Sequence, residues 1–194
     1  MTKEHFIDYW NRTYPNSLPI GHELKHVFNS RWFRIHSLPE SKRYADSPEE
    51  ETILLNRQNV LIGDIFGEGQ EFFILVGLYT NDLTTEQYLD ELDWEYFEHL
   101  YDIPLHKERP EEYEDDPTFY QIFISKVVWR TNQHDELLLK IANDEVRASF
   151  ICLKNNRIIN PYDGGVDIIL ENETLMQAYK KRFSNWLSTR EDGM

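Results

Sequence analysis

The stretch Glu71-Phe-Phe-Ile-Leu-Val-Gly-Leu-Tyr79 decides the fold class of this chain. It is apolar on both faces, which is typical of a central strand covered by other elements on both sides. Alternating patterns and clusters of aromatic and β-branched residues predict further strands around it. We expect these strands at residues 32–38, 119–128, 147–153, 158–160 and 166–170.

Helices are predicted between the strands from start signals and apolar stripes. Ser47-Pro-Glu-Glu50 is the clearest start, because serine can cap a helix, proline suits the first helical position and Glu50 completes a capping box. This helix is expected to end at Gly67. Other helices are expected at residues 2–11, 22–29, 84–92 and 134–142, and at the C-terminal end on the stripe Leu175, Tyr179, Phe183 and Trp186.

The order of these elements predicts an α+β fold. Early crossover helices and a late hairpin with a tight turn at residues 154–157 favour a mixed, mostly antiparallel sheet of about six strands flanked by helices. A three-layer α/β, Rossmann-like arrangement is the alternative. We expect a single α+β domain over residues 1–194, with residues 1–30 as a candidate helical N-terminal extension.

The charge of the chain limits the classes of molecule that it is expected to bind. The formal net charge is -15, and carboxylates crowd residues 86–116, where Lys107 and Arg109 are the only cations. Such a field repels nucleic acid and anionic membranes, and it would attract a basic protein. A solvated acidic surface that keeps the protein soluble explains the same charges. The aromatic residues of this segment are candidate interface anchors or core residues: Tyr88, Trp94, Tyr96, Phe97 and Tyr101.

Cysteine usage and apolar runs bear on the location of the protein. Cys152 is the only cysteine, so an internal disulfide is excluded and a reducing, cytoplasmic location is expected. The apolar runs are too short to span a membrane or to form a signal peptide. Gly63, Gly67 and Gly69 follow a helix and precede a strand, which is the wrong order for a dinucleotide-binding turn, so we expect no cofactor.

The densest group of cations lies in and after the strand that begins at Trp32. Arg34 and His36 alternate with apolar residues, and Lys42 and Arg43 follow the proline-terminated end of the strand. These four side chains could surround an anion. Surface salt bridges to nearby glutamates explain the same residues.

A second group of polar residues, Tyr162-Asp-Gly-Gly-Val-Asp167, lies near the C-terminus. Asp163 followed by two glycines favours a turn in which glycine adopts a positive φ. Asp167 begins the last predicted strand, where it could cap, pair with Arg34 or Arg147, or bind a metal ion. Two carboxylates are too few to specify a metal site, so we expect none.

Both groups of residues carry a family resemblance. Trp32-Phe-Arg-Ile-His-Ser-Leu-Pro-Glu-Ser-Lys-Arg-Tyr44 and Pro161-Tyr-Asp-Gly-Gly-Val-Asp-Ile-Ile169 resemble an uncharacterised bacterial family, the domain of unknown function 3885 family. The resemblance spans residues 31–170. Relatives often carry an extra residue and an arginine before the glycine of the second motif, and Gly164 does not supply that arginine. The resemblance implies a bacterial protein, its order of strands and helices fits the one predicted here, and the family is described as Rossmann-like; it implies no activity. The signature of the second motif is matched by Tyr162, Asp163, Gly165, Val166 and Asp167.

Two classes of function remain open. The one we favour is a non-catalytic protein-binding module, immunity-like or antitoxin-like, which presents an acidic face to a basic partner. The alternative is an enzyme or binding protein for a small anionic ligand, with a cleft between residues 32–44 and 162–167. We find no recognised catalytic motif. The candidate ligand-binding residues are Arg34, His36, Lys42, Arg43, Tyr162, Asp163 and Asp167.

Overall fold

A computed structural model describes residues 2–81, 83, 96–113 and 118–188 of the chain. Its strands form one seven-stranded sheet in the order β1-β7-β6-β5-β2-β4-β3, and every neighbouring pair is antiparallel. The predicted α+β class is confirmed, and the Rossmann-like alternative is not adopted, because that fold requires parallel strands. The strands are β1 (Trp32–His36), β2 (Glu71–Thr80), β3 (Glu98–Pro104), β4 (Phe119–Val128), β5 (Arg147–Cys152), β6 (Arg157–Tyr162) and β7 (Gly165–Ile169).

The strand that the sequence did not predict is β3, at one edge of the sheet. Its register with β4 shifts between His99 and Tyr101, and only Leu100 and Ile103 are buried. Charged side chains fill other positions of this strand, so no clean alternation of apolar and polar residues is present. A bulge and a charged face are usual at an exposed sheet edge.

Helices cover both faces of the sheet. Ser47 accepts a hydrogen bond from the Glu50 backbone N–H, and Gly67 ends the same helix with a φ of 94°, so both predicted ends are confirmed. The Glu50 carboxylate accepts from the Asp46 backbone N–H instead of closing the box on Ser47. The predicted helix at 84–92 lies outside the described residues. The helices are α1 (Thr2–Thr13), α2 (Gly21–Val27), α3 (Pro48–Phe66), α4 (Leu105–Glu108), α5 (Pro110–Tyr113), α6 (Asp135–Ala142) and α7 (Glu173–Arg182).

Strand β2 is buried on both faces, as its sequence predicts. Phe72 and Ile74 belong to a core cluster shared with α3, α6 and α7, whereas Phe73 and Leu75 belong to a second cluster shared with α1 and α2. The ring centroids of Phe6 in α1 and Phe73 are 5.4 Å apart. Alternate side chains of β2 therefore belong to two different hydrophobic cores, one on each face of the sheet.

The C-terminal stripe packs as predicted. Phe183 is buried in the first cluster, and Leu175, Tyr179 and Trp186 pack against it. Asn156 adopts a left-handed conformation, with a φ of 53°, at the predicted tight turn before β6. Among the described helices, none is long and apolar enough to cross a membrane.

Candidate ligand-binding cleft

The pairing of β1 with β7 brings the two motifs together. Arg34 lies directly opposite Asp167 in the register, and His36 lies opposite Gly165. The guanidinium of Arg34 donates two hydrogen bonds to the Asp167 carboxylate, Nε to Oδ1 at 2.7 Å and Nη2 to Oδ2 at 2.9 Å. Trp32 Nε1 donates a third, at 2.9 Å from Oδ1. The buried Asp167 carboxylate therefore positions Arg34.

Asp163 holds a second arginine. Its buried Oδ2 accepts hydrogen bonds from Arg43 Nε at 2.6 Å and from the Tyr44 hydroxyl at 2.8 Å, and it also contacts Arg43 Nη2. These contacts fasten the segment after β1 onto the turn between β6 and β7. The two aspartates of the second motif thus each bind an arginine of the first.

The two glycines of the second motif are required for a different reason than the sequence suggested. Neither Gly164 nor Gly165 has a positive φ, so the predicted turn conformation is wrong. A Cβ atom at Gly165 would lie 2.1 Å from the backbone oxygen of Ile35, and one at Gly164 would lie 2.9 Å from Cε2 of Tyr162. These positions need glycine because a backbone and an aromatic ring pass close to them.

A cleft of about 540 Å³ opens beside these pairs. Ser149 of β5 and Asn160 of β6 line it, and helix α2 contributes His22 and Lys25. Ligand sites typically measure about 300–1,000 Å³, so the cleft has room for a small molecule.

Helix α2 is pressed onto the sheet at Gly21. A Cβ atom at Gly21 would lie 2.2 Å from Ser149 Oγ and 2.9 Å from Asn160 Oδ1. Asn160 Nδ2 also donates a hydrogen bond to the backbone oxygen of Gly21, at 3.2 Å. This close approach sets the position of His22 and Lys25 at the cleft.

The cleft reverses the charge balance of the chain. Its lining includes four lysine and arginine side chains and three aspartates, in a protein with 20 basic and 35 acidic residues. Arg147 Nη2 lies 3.6 Å from Asp144 Oδ1. Lys25 has no ion-pair partner within 4.0 Å among the described residues. Burial lowers the pKa of Lys25; the negative charge of Asp167 opposes this shift, and the positive charge of Arg34 acts in the same direction as burial.

Aromatic rings support the cations. The guanidinium of Arg34 lies 4.6 Å from the ring centroid of Tyr162, and that of Arg147 lies 5.3 Å from the ring centroid of Tyr79. Burial raises the pKa of Tyr162 to about 12, so its hydroxyl is neutral at pH 7. Partial burial lowers the pKa of His22, whose Nε2 is 3.4 Å from the Tyr79 hydroxyl.

Most of the residues predicted from the sequence line this cleft. They are Arg34, Arg43, Tyr162, Asp163 and Asp167. Lys42 is directed elsewhere, since its Nζ lies 2.8 Å from Asp46 Oδ2 and 2.6 Å from Glu50 Oε1. His36 is half-buried at the end of β1, outside the cleft lining, and burial lowers its pKa.

Other residues of the cleft were missed from the sequence. Lys25, Tyr79, Tyr120 and Asp144 come from α2, β2, β4 and the turn before β5, and no local motif joins them. The sequence suggests Arg147 only as a partner of Asp167, whereas in the structure Arg147 pairs with Asp144. One signal was available, because Arg147 begins a predicted strand and a strand end is a common place for a binding residue.

Metal ligation finds no support in the described part of the chain. It contains no group of three or more histidine, cysteine, aspartate and glutamate side chains that could hold a metal ion. Cys152 is buried, and burial raises the pKa of its thiol, which disfavours the reactive thiolate.

The acidic segment is described only in part. Residues 84–95, which include Tyr88 and Trp94, and residues 114–117 lie outside the described residues. Phe97 and Tyr101 pack against the two core clusters. Tyr96 is 71% exposed.

Comparisons with known proteins identify the family. No curated protein and no solved structure matches the chain. The family model described as a domain of unknown function, DUF3885, matches residues 20–191, which include every residue named in the cleft. The chain therefore belongs to the DUF3885 family.

Proposed function

We propose that the protein binds a small anionic ligand in the cleft between α2 and the sheet. The observation that carries this proposal is the excess of lysine and arginine over aspartate in the cleft of an otherwise acidic chain. A cleft concentrates the field of its charges, so it attracts ions of the opposite sign. A carboxylate or phosphate group is the chemistry that lysine and arginine side chains recognise.

Lys25 is the residue we assign to the anion. It lines the cleft from helix α2, is half-buried, and has no carboxylate within 4.0 Å among the described residues. An ammonium group that is partly removed from water gains more from an anion than an exposed one does. The lowered pKa of Lys25 is the expected consequence of that burial, and a bound anion would raise it again.

Arg147 is the second residue we assign. Its side chain is half-exposed, and its distance of 3.6 Å to Asp144 is longer than a normal hydrogen bond, so its donors can turn toward a ligand. Arg34 has a different role, because Asp167 holds it with two hydrogen bonds. It contributes positive charge from a fixed position.

The contacts of the two buried aspartates fit a protein that binds its ligand and does not use these side chains in a chemical step. Asp163 and Asp167 are both engaged by arginine hydrogen bonds. We therefore assign them to positioning those arginines and not to moving a proton.

The test is a calorimetric titration with inorganic phosphate. Lys25→Ala should weaken phosphate binding by about tenfold or more, as expected for the loss of a charge-assisted contact. Lys126→Ala is the control, since Lys126 is exposed and pairs with Glu71 away from the cleft. Equal affinities for the wild type and both variants would overturn the proposal.

A basic protein partner is the second candidate, and the exposed Tyr96 beside Glu98 favours it. An aromatic side chain surrounded by carboxylates can anchor an interface with a cationic surface. Capture of such a partner should weaken as salt rises, because salt screens exposed charges. It should also weaken in Tyr96→Ser. Capture that is insensitive to both changes would contradict this candidate.

A further inference from the structure

We infer that the ligand carries hydroxyl groups beside its anionic group, as a sugar phosphate or a sugar acid does. This inference rests on the proposed function and names the ligand class of the same cleft. It is carried by the mixture of groups that line the cleft, in which acceptors and neutral hydroxyls stand next to the cations.

Asp144 is the acceptor that points to this class. It lies in the turn between α6 and β5, adopts a left-handed backbone with a φ of 60°, and lines the cleft. A left-handed residue is common just after the C-cap of a helix, and here it ends α6 and places Asp144 at the rim of the cleft. Its side chain is 51% exposed and lies 3.6 Å from Arg147 Nη2, so its oxygens have room to accept further hydrogen bonds.

Neutral hydroxyls line the same cleft. Ser149 of β5 contributes one hydroxyl group, and Tyr79 and Tyr162 contribute two more. A hydroxyl group both donates and accepts, which matches the hydroxyl groups of a sugar-like ligand. The pKa of Tyr162, raised to about 12 by burial, keeps this phenol able to donate at neutral pH.

An anion without additional hydroxyl groups would leave most of these hydrogen-bonding groups without a partner. The carboxylate of Asp144 would repel it, and the serine and tyrosine hydroxyls could satisfy only a few of its oxygens. A ligand with hydroxyl groups can donate to Asp144 while its anionic group binds Lys25 and Arg147. An ammonium group could also pair with Asp144, but it would then lie beside the positive charge of Arg147.

The experiment compares four probes by calorimetry: inorganic phosphate, glucose 6-phosphate, glucose and phosphoethanolamine. Glucose 6-phosphate should bind about tenfold more tightly than inorganic phosphate, because hydrogen bonds to charged groups are strong ones. Glucose and phosphoethanolamine should each bind more weakly than glucose 6-phosphate. Equal binding of glucose 6-phosphate and inorganic phosphate would overturn the inference and leave the proposed function standing. Tightest binding of phosphoethanolamine would overturn it in favour of an ammonium ligand, and absence of binding by every probe would overturn both proposals.

The variant Asp144→Asn gives two opposite expectations. The substitution should weaken the binding of glucose 6-phosphate several-fold, because an amide oxygen accepts hydrogen bonds more weakly than a carboxylate does. It should strengthen the binding of inorganic phosphate, because it removes a negative charge from the cleft. Asp46→Asn, which removes an exposed carboxylate paired with Lys42, is the control and should change neither affinity. A change of both affinities in the same direction in Asp144→Asn would contradict the assignment.

Discussion

Arg34 and Asp167 face each other across β1 and β7 and form a two-pronged ion pair. Their side chains are 10% and 5% exposed. Trp32 donates to the same carboxylate, and the Tyr162 ring lies against the guanidinium. One edge of the sheet and one wall of the cleft therefore depend on the same two side chains.

Removing one partner of this pair should destabilise the fold strongly. Arg34→Ala leaves a buried carboxylate without its main partner, and such a loss costs about 3–5 kcal/mol in the free energy of unfolding. Urea denaturation monitored by tryptophan fluorescence measures it.

Arg182→Ala is the matched control for that experiment. Arg182 also pairs with a single aspartate, Asp64, but its side chain is 64% exposed. Exposed pairs contribute about 0–1 kcal/mol. Similar small losses for Arg34→Ala and Arg182→Ala would show that the buried pair does not support the fold.

Substitution of Gly165 should disrupt the contact between β1 and β7. The added methyl group in Gly165→Ala would lie 2.1 Å from the Ile35 backbone oxygen, and a backbone atom in a paired strand cannot move away cheaply. We expect a loss of about 1–3 kcal/mol or more in the free energy of unfolding.

Gly63→Ala serves as the comparison for Gly165→Ala. Gly63 lies inside α3, and the nearest atom to its added methyl group would be Trp129 Nε1 at 3.3 Å. Helix propensity favours alanine there by about 0.5–1 kcal/mol, which offsets the tight contact. If Gly165→Ala were as stable as Gly63→Ala in the same denaturation assay, the steric account of the motif would be wrong.

Acidification should lower stability through histidines whose pKa is lowered by partial burial. Burial lowers the pKa of His134, which stacks on Trp129, below its unfolded value. The unfolded state then binds more protons, so the stability is present above the unfolded pKa of about 6.5 and is lost as the pH falls below it. The pKa values of His22 and His36 are lowered in the same direction.

The contribution of His134 can be isolated by substitution. His134→Gln should reduce the slope of unfolding free energy against pH between about pH 6.5 and pH 5.5, measured by urea denaturation across that range. A slope in His134→Gln equal to that of the wild type would exclude His134 as a cause.

The elements with strong local signals could be predicted from the sequence. Strand β2 is apolar on both faces because both faces are buried, and the α3 ends carry Ser47 and Gly67. Strand β3 could not be predicted in this way. Its bulge and its charged residues at the sheet edge remove the alternation on which such predictions depend.

The candidate cleft could be predicted only in part. Arg34 and Asp167 belong to two recognisable motifs, and the hypothesis that these motifs converge agrees with the register of β1 and β7. Lys25, Asp144 and Arg147 were not foreseen as a group, because the order of strands brings them together. Strand order is a property of the whole chain, so no short stretch of sequence contains it.

The most direct test of the account is to map where inorganic phosphate binds, using backbone amide chemical shifts during a titration. We predict that the largest shifts occur at residues 21–25, 144–149 and 160–167, and that Lys25→Ala removes them. Shifts concentrated at residues 96–113 or along α7, with the cleft unchanged, would contradict the claim that this cleft binds the anion.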